Sequence, residues 1–303
     1  MKKLLVILTM MAMMTACHKD NMNNQDNTTA PVKVTVNDFT ISSEGWPEAS
    51  SGCTMANASK GGAKDTPASY TGVKAMTLAF FDANGTAVYS TTQLRADNTT
   101  YTTFGEFELS LPLGSYTMVA LGYGSEQPIT LNGATEAIYT ADRVRETFVV
   151  SQAVNVTSTN PLTLNAELSR VVSKVIVRST DTRTVGVDSV RVTFAAGGKG
   201  VNPQTGLASS NNGLSNCVAI STAVGAESST ISYLFLASDQ QTMNLTVETI
   251  KPNGTVYSTR TVADVPLQRN KITVVQGPMY STASGASFTV STAYLGDTTF
   301  VDF

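Results

Sequence analysis

The chain has 303 residues and a formal net charge of −3 at pH 7, and only 14% of its residues are charged. A soluble globular chain usually carries about 25% charged residues. Here Thr, Ser, Asn and Gly take their place, which favours strands and tight turns over amphipathic helices. An acidic chain offers no basic face to a phosphate backbone, so we expect no nucleic acid partner.

The sequence has few of the residues that catalytic and metal sites usually need. His18 is the only histidine, and it lies at the edge of an export signal, so a histidine-based triad, metal site or general base is excluded from the folded body. Cys17, Cys53 and Cys217 have no C-x-x-C spacing. The pair Glu106 and Glu108, on one strand face, is expected to be solvated. We therefore expect no enzyme, no metal site and no cofactor.

The N-terminus has the pattern of an export signal. Lys2 and Lys3 precede an apolar stretch at residues 4–14, which is too short for a permanent membrane helix. Residues 14–17 (MTAC) resemble a bacterial lipobox, which implies a signal peptide at residues 1–16 and acylation of Cys17. Several acyl chains on one cysteine give stable membrane anchoring. The alternative is an ordinary secretory signal with a chance cysteine.

Export changes the net charge of the chain and allows its thiols to form disulfides. Cleavage before Cys17 removes two lysines and takes the net charge from −3 to −5. Residues 17–30 are polar and rich in Asn, so they are predicted to be a flexible tether. Disulfides are permitted outside the cell, and Cys53 and Cys217 either pair or remain two free thiols.

The rest of the chain shows period-2 alternation with turn residues between the segments, typical of strands. A first strand is predicted at residues 32–41, followed by a long polar stretch at residues 42–69. Asn84-Gly85 and Asn253-Gly254 are hairpin signals. No helix of ordinary length is predicted. The pattern predicts an all-β protein of two tandem antiparallel β-sandwich domains, at residues 31–166 and 167–303.

Three segments carry a family resemblance. They are residues 70–82 (YTGVKAMTLAFFD), the junction at residues 168–175 (LSRVVSKV) and residues 265–273 (VPLQRNKIT). Together with the lipobox and a lysine-containing loop after the first strand, their order resembles the Bacteroidales fimbrillins, the subunits and anchors of type V pili. The resemblance covers essentially the whole mature chain.

The resemblance implies two transthyretin-like domains on a lipoprotein of the outer membrane, held there by the lipid on Cys17. In that family an Arg- or Lys-specific protease removes the lipidated first strand, and the vacated groove accepts a strand from another subunit. Strand addition relieves an exposed sheet edge. Applied to this chain, cleavage falls after Lys60 or Lys64. The displaced strand would present Val32, Val34, Val36, Phe39 and Ile41.

This sequence departs from the family at the cleavage loop. Family members commonly offer an arginine there, whereas the first arginine of this chain is Arg95. Lys60 and Lys64 are alternatively two solvated loop charges. In that case the protein would keep its lipid and act as an anchor or an uncleaved minor subunit.

The donor strand is expected at the C-terminal end. Its groove-filling side chains would be Phe288, Val290, Phe300, Val301 and Phe303. The alternative is a last hairpin packed on its own domain.

The resemblance therefore implies a structural subunit or anchor of a cell-surface fimbria that supports adhesion and has other fimbrial subunits, self or related, as partners. A host protein or glycan is a further candidate partner. The alternative function is a surface glycan-binding adhesin outside a polymer. Its candidate aromatic residues are Trp46, Tyr101, Tyr123 and Tyr257.

Overall fold

A computed structural model describes residues 28–40, 64–282 and 287–293. These residues form strands, turns and irregular segments, and none of them is helical. None of the described residues forms a helix that could cross a bilayer. The predicted all-β class is confirmed. The predicted signal peptide, Cys17, and most of the tether and of the polar stretch lie outside the described residues.

The N-terminal half contributes the first ten described strands. They are β1 (Thr29–Thr40), β2 (Lys64–Asp65), β3 (Ala75–Phe81), β4 (Ala87–Leu94), β5 (Glu106–Pro112), β6 (Gly114–Tyr123), β7 (Thr130–Leu131), β8 (Ala137–Ile138), β9 (Thr147–Val156) and β10 (Leu162–Arg170). β1 begins at Thr29, before the predicted strand start at residue 32 and within the end of the predicted tether, because Ala30 is buried and pairs with Leu111 of β5.

One large sheet folds over on itself in this half. Its order is β2-β1-β10-β9-β6-β3-β4, and β5 pairs with β1. β9 and β10 pair at the C-terminal end of β10, where Arg170 lies opposite Phe148. The sheet therefore turns a corner there, and the β1 side packs on the β6 side: the Phe39 ring lies where a side chain on Gly122 would have to go.

Sequence explains the two kinds of strand in this sheet. In β1, Val32 and Val34 are buried and alternate with Lys33, as expected for a strand that has one face on a core. β3 is buried at every position because it lies between β4 and β6 and both its faces are covered, and its sequence is apolar except for Thr77. The predicted turn after β3 is confirmed, with Gly85 at φ +78°.

The C-terminal half contributes ten further described strands. They are β11 (Ser173–Ser179), β12 (Ser189–Phe194), β13 (Gly200–Asn202), β14 (Leu207–Ala208), β15 (Leu214–Ala219), β16 (Ser229–Leu234), β17 (Gln240–Ile250), β18 (Val256–Gln268), β19 (Ile272–Gly277) and β20 (Thr289–Ala293). Two four-stranded sheets, β16-β11-β19-β20 and β15-β12-β17-β18, bury Val175, Val192 and Leu245. The second hairpin signal is also confirmed, with Gly254 at φ +81°.

A small fourth sheet, β14-β13-β8-β7, joins the two halves. β8 of the first half pairs with β13 of the second, with Ala137 opposite Val201. Next to this contact, Gly198 and Gly200 let the chain pass close to residues 209–210 of the same half. A Cβ on Gly198 would lie 2.5 Å from the Ser210 carbonyl oxygen, and one on Gly200 would lie 2.4 Å from Ser209 Oγ.

The predicted boundary after residue 166 falls inside β10, and the chain changes sheets between Arg170 and Ser173. The division into two domains, like their transthyretin-like character, stays a prediction.

A buried ion pair lies at the point where the halves meet. Arg170 Nε is 2.7 Å from Glu146 Oε1, and their side chains are 0% and 10% exposed. The Tyr70 hydroxyl donates to Glu146 Oε2 at 2.6 Å, and Arg170 Nη1 donates to Asn270 Oδ1 at 3.3 Å. Burial and the nearby Glu146 raise the pKa of Tyr70, so its hydroxyl remains a donor.

Three separate sequence segments meet in this cluster. Tyr70 comes from residues 70–82, Arg170 from residues 168–175 and Asn270 from residues 265–273. These are the segments that carry the family resemblance. Their shared role in the fold is to satisfy one buried charge pair between the two halves.

We expect Arg170→Met to lower the free energy of unfolding by about 3–5 kcal/mol, because it leaves the Glu146 carboxylate buried without its cation. The double variant Arg170→Met/Glu146→Gln should recover part of that loss, since no charge then remains buried. Urea unfolding of the full chain measures both effects.

A half-exposed pair provides the matched control. Arg191 and Glu248 are 3.0 Å apart, with side chains 36% and 19% exposed, so Arg191→Met should cost about 1 kcal/mol or less. Equal losses for Arg170→Met and Arg191→Met would contradict the special role of the buried pair.

Candidate functional site

The candidate site is β1 and the strands that hold it. β1 runs parallel to β10, with Val32 opposite Leu162, and antiparallel to β5, with Val32 opposite Leu109. The residues named for the displaced strand are buried here: Val32 is 2% exposed, Val34 0%, Val36 4% and Phe39 0%. Displacement of the strand stays a prediction. Ile41, the fifth predicted residue, lies outside the described residues.

A β-bulge explains the spacing of the buried side chains. The register of β1 against β10 shifts between Val36 and Asp38, so the inward positions change from even to odd residue numbers and Phe39 faces the core. An extra residue of this kind leaves the flanking strand paired while it changes the face presented. The sequence interpretation took residues 32–41 as one regular strand and missed the bulge.

Phe39 fixes the end of β1 in an aromatic cluster. Its ring centroid lies 4.8 Å from that of Phe148 and 5.9 Å from that of Tyr70. Arg170 of the buried ion pair lies over the Phe148 ring, 4.9 Å from its centroid. The end of β1 is therefore packed against the residues that join the two halves.

Burial indicates what β1 contributes to stability. Each fully buried valine or phenylalanine side chain is worth about 1.5–3 kcal/mol, so the four inward side chains together contribute about 6–12 kcal/mol. Without β1, the facing edges of β5 and β10 would present unpaired main-chain groups beside an apolar groove. Such a groove is a site for another strand with the same alternation.

Lys64, one of the two predicted cleavage residues, is held in place. It lies in β2 opposite Thr40 of β1. Its Nζ is 2.9 Å from Glu167 Oε2 and 3.8 Å from Asp38 Oδ2. The hydrogen bond to Glu167 raises the pKa of Lys64, so the ammonium stays charged. Lys60 lies outside the described residues.

The predicted donor strand is described in part. Val290 lies in β20 opposite Val275 of β19. The Phe288 ring covers Gly277, where a Cβ would lie 2.6 Å from a ring carbon. In the described residues this segment is packed on its own sheet, which was the alternative. Phe300, Val301 and Phe303 lie outside the described residues, and the donor role stays a prediction.

The predicted glycan-binding aromatics are engaged elsewhere. Tyr123 is fully buried, which corrects its candidacy as an exposed residue: it ends β6 at the sheet centre, and its hydroxyl lies 2.9 Å from Thr77 Oγ1. The Tyr101 hydroxyl donates to the Leu94 carbonyl oxygen at 3.1 Å. Lys251 lies over the Tyr257 ring. Trp46 lies outside the described residues.

Cys217 is exposed on β15, and Cys53 lies outside the described residues. Within the described ranges, no group of three or more His, Cys, Asp and Glu residues is arranged to hold a metal ion. Glu106, the predicted solvated carboxylate, forms an ion pair with Lys33 at 3.0 Å.

Sequence reasoning missed a cationic cavity between the two halves. Its volume is about 480 Å³. The lining residues are Thr140, Ala141, Asp142, Arg143, Arg145, Lys199, Cys217, Val218 and Ala219. The closely spaced Arg143 and Arg145 were the available signal, but nothing local indicates that Lys199 joins them.

We expect Phe39→Ala to lower the free energy of unfolding by about 3–5 kcal/mol, because it removes a fully buried ring from the aromatic cluster. Hydrogen exchange should also become faster in β1 and β10. Val88 of β4 is 42% exposed, so Val88→Ala serves as the control and should change stability by about 0.5 kcal/mol or less. Unchanged exchange in β1 after Phe39→Ala would contradict the anchoring role of the ring.

Comparisons with known proteins give a distant structural likeness. The fimbrial anchor protein Mfa2 from Porphyromonas gingivalis is 12% identical, with 86% of this chain and 95% of that chain covered and a TM-score of 0.46. A structure described as a candidate adhesin from Bacteroides ovatus ATCC 8483 is 13% identical, with 83% and 88% covered and a TM-score of 0.46. A fimbrial assembly protein from Parabacteroides distasonis ATCC 8503 is 10% identical, with 87% and 95% covered and a TM-score of 0.37.

Likeness at these identities and scores does not carry a function from those proteins to this one. No curated protein matches the chain. A family model does match, over residues 126–300, which is more than half of the sequence. The chain belongs to that family, DUF6562, which is described as a family of unknown function.

Proposed function

We propose that the chain is a structural subunit or anchor of a cell-surface fimbria, with a structural rather than a catalytic role. It is exported as a lipoprotein, held in the outer membrane through acylated Cys17, and assembled by β-strand addition between subunits. After processing it lies in the fimbrium. Its partners are other fimbrial subunits, and assembly supports adhesion to a host protein or glycan.

The observation that carries the proposal is the placement of β1. Hydrogen-bond ladders and four buried side chains hold it between β5 and β10, and the chain continues from it to β2 through residues 41–63. A single cut in that segment would turn β1 into a separate strand held by non-covalent contacts alone. A strand with the same alternation from another subunit could then take its place.

Junctions of this kind build a filament. The donor segment and the acceptor groove are different surfaces of the subunit, so each contact is heterologous and leaves one groove and one donor free at the ends. A chain that kept its lipid would instead stay attached to the membrane and act as an anchor.

The surroundings of Lys64 make Lys60 the better candidate for the cleavage site. Cleavage requires a segment that can enter a protease as an extended chain, and Lys64 is already paired to β1 and bound to Glu167. We therefore expect cleavage after Lys60, giving a mature chain that begins at Gly61. Mass spectrometry of the protein from its native cell surface identifies that N-terminus.

Matched variants complete this test. Lys60→Ala should retain the lipidated segment, while Lys64→Ala should be processed normally. In the Lys60→Ala background, which keeps the lipidated segment, Cys17→Ala should lose incorporated palmitate, and Cys53→Ala should keep it. A chain that begins at acylated Cys17 in every protein that retains this cysteine would restrict the role to an anchor. A chain with no lipid and an unrelated N-terminus would overturn the lipoprotein proposal.

Strand addition has a separate test. A synthetic peptide with the sequence of residues 31–41 should compete for the groove of the processed chain and reduce the ladder of detergent-stable multimers. A peptide of the same composition in scrambled order should not, because its apolar residues no longer fall on one face. Equal effects of the two peptides would contradict assembly through the β1 groove.

A further inference from the structure

β15 is an edge strand of its sheet in the described part of the chain. β15 ends its sheet and pairs with β12 on one side, and in the described part of the chain no strand pairs with its other side. Its sequence, Leu-Ser-Asn-Cys-Val-Ala, holds no charged residue and no proline. Natural edge strands usually carry such residues to prevent pairing with another chain, so this edge lacks the usual protection.

The register shows which main-chain groups face outward. Ile220 N donates to the Asp188 carbonyl oxygen, and the same register continues along β12 and β15. In an antiparallel pair, hydrogen-bonded and non-hydrogen-bonded positions alternate. The residues whose N–H and C=O groups turn away from β12 are therefore Ser215, Cys217 and Ala219.

The cationic cavity lies beside this edge, since Cys217 and Ala219 line it together with Arg143 and Lys199. Arg145 is occupied by Asp142, with Nε 3.0 Å from Oδ2 and Nη2 3.2 Å from Oδ1. Arg143 and Lys199 form no ion pair with any residue that the structure describes. The cavity lining therefore has a net positive charge, with three cations against the single carboxylate of Asp142.

Arg143 also differs from an ordinary surface arginine. Its Nη1 donates to the Ile231 carbonyl oxygen of β16 at 3.4 Å, so it is held at the junction of the halves. Burial and the adjacent Arg145 lower its pKa. A carboxylate placed in the cavity would stabilise the charged form of Arg143, whereas a further cation would destabilise it.

The buried side-chain amide of Asn216, also on β15, favours a polar residue beside it. Asn216 is 2% exposed, and its side-chain oxygen and nitrogen have no hydrogen-bond partner among the described residues. Its side chain lies on the inward face of β15, opposite to Ser215 and Cys217. A strand added to β15 would place side chains of that face beside Asn216.

We propose that an extended acidic peptide segment adds to the free edge of β15, with its main chain paired to Cys217 and Ala219 and its carboxylates bound by Arg143 and Lys199. Side chains on its other face, such as Thr, lie beside Asn216. The six residues of β15 span about 20 Å at 3.3 Å per residue, so a segment of about six to eight residues covers the edge. This site is separate from the β1 groove and does not depend on the processing of β1.

The other ligand classes fit less well. A small free anion would use the two cations and leave the edge unpaired. A sugar ring is usually bound on an aromatic face, and no aromatic residue lines the cavity. An extended peptide uses the edge, the charges and the polar inward face together.

The test uses the full chain with Cys17→Ser and Cys53→Ser, which leaves Cys217 as its only thiol. The probe is a fluorescein-labelled peptide of four Thr-Glu repeats, and binding is followed by fluorescence polarisation. We expect at least tenfold weaker binding of the Thr-Gln peptide. An N-methylated Thr-Glu peptide, which keeps its charges and lacks main-chain donors, should also bind at least tenfold more weakly.

Protein variants locate the site. Lys199→Gln should weaken binding of the Thr-Glu peptide about three- to tenfold and leave the Thr-Gln peptide unaffected. Lys74→Gln, the same charge change at an exposed position in the other half, should have no effect. Bound peptide should also slow the reaction of Cys217 with a maleimide.

Two results would overturn the proposal. Equal binding of the N-methylated peptide, or of a trigalacturonate with the same dependence on Lys199, would show a site for anions rather than for a strand. An unchanged maleimide rate at saturating peptide would place binding away from β15. Neither result concerns β1, so the proposed function is tested separately.

Discussion

The Arg170–Glu146 ion pair is the contact on which the arrangement of the chain depends. Removing two charges from water is costly unless each finds its partner and further hydrogen bonds. Here those bonds involve Tyr70 and Asn270, which lie far from Arg170 in sequence. Satisfying this one pair therefore requires the first half, the junction and the turn after β18 to be in place at the same time.

The ion pair also reaches the candidate site. Arg170 ends β10, the parallel partner of β1, and it lies over Phe148, whose ring packs against Phe39. The buried charges, the aromatic cluster and β1 form one continuous set of contacts. A change in β1 is therefore expected to alter the packing at the junction of the halves, through this continuous set of contacts.

The sequence was sufficient for the features that repeat locally. Alternation located β1 with Val32, Val34 and Val36 on one face, which is buried, and Asn-Gly pairs located two turns. Features that depend on long-range pairing could not be predicted from the sequence. The bulge after Val36 shifts a register that only pairing with β10 defines, and β8 and β13 are too short to show any periodicity.

In the candidate site, too, the features that depend on long-range contacts could not be predicted from local sequence. Tyr123 is one of the candidate exposed aromatic residues of a glycan site, yet its strand is central in the sheet and its ring is buried. The cationic cavity combines residues 140–145 with Lys199 and β15. Such combinations depend on the way the two halves meet, which no local pattern records.

The pairing of β1 has a mechanical consequence. β1 pairs with β5 along residues 29–35 and with β10 along residues 32–40, so a pull along the strand axis loads many hydrogen bonds at once, in shear. A pull across the axis would open them one after another at much lower force. Tension applied along β1 through the residues before it would therefore act in the direction in which the strand resists most, and β1 would separate at low force only if it were peeled from one end.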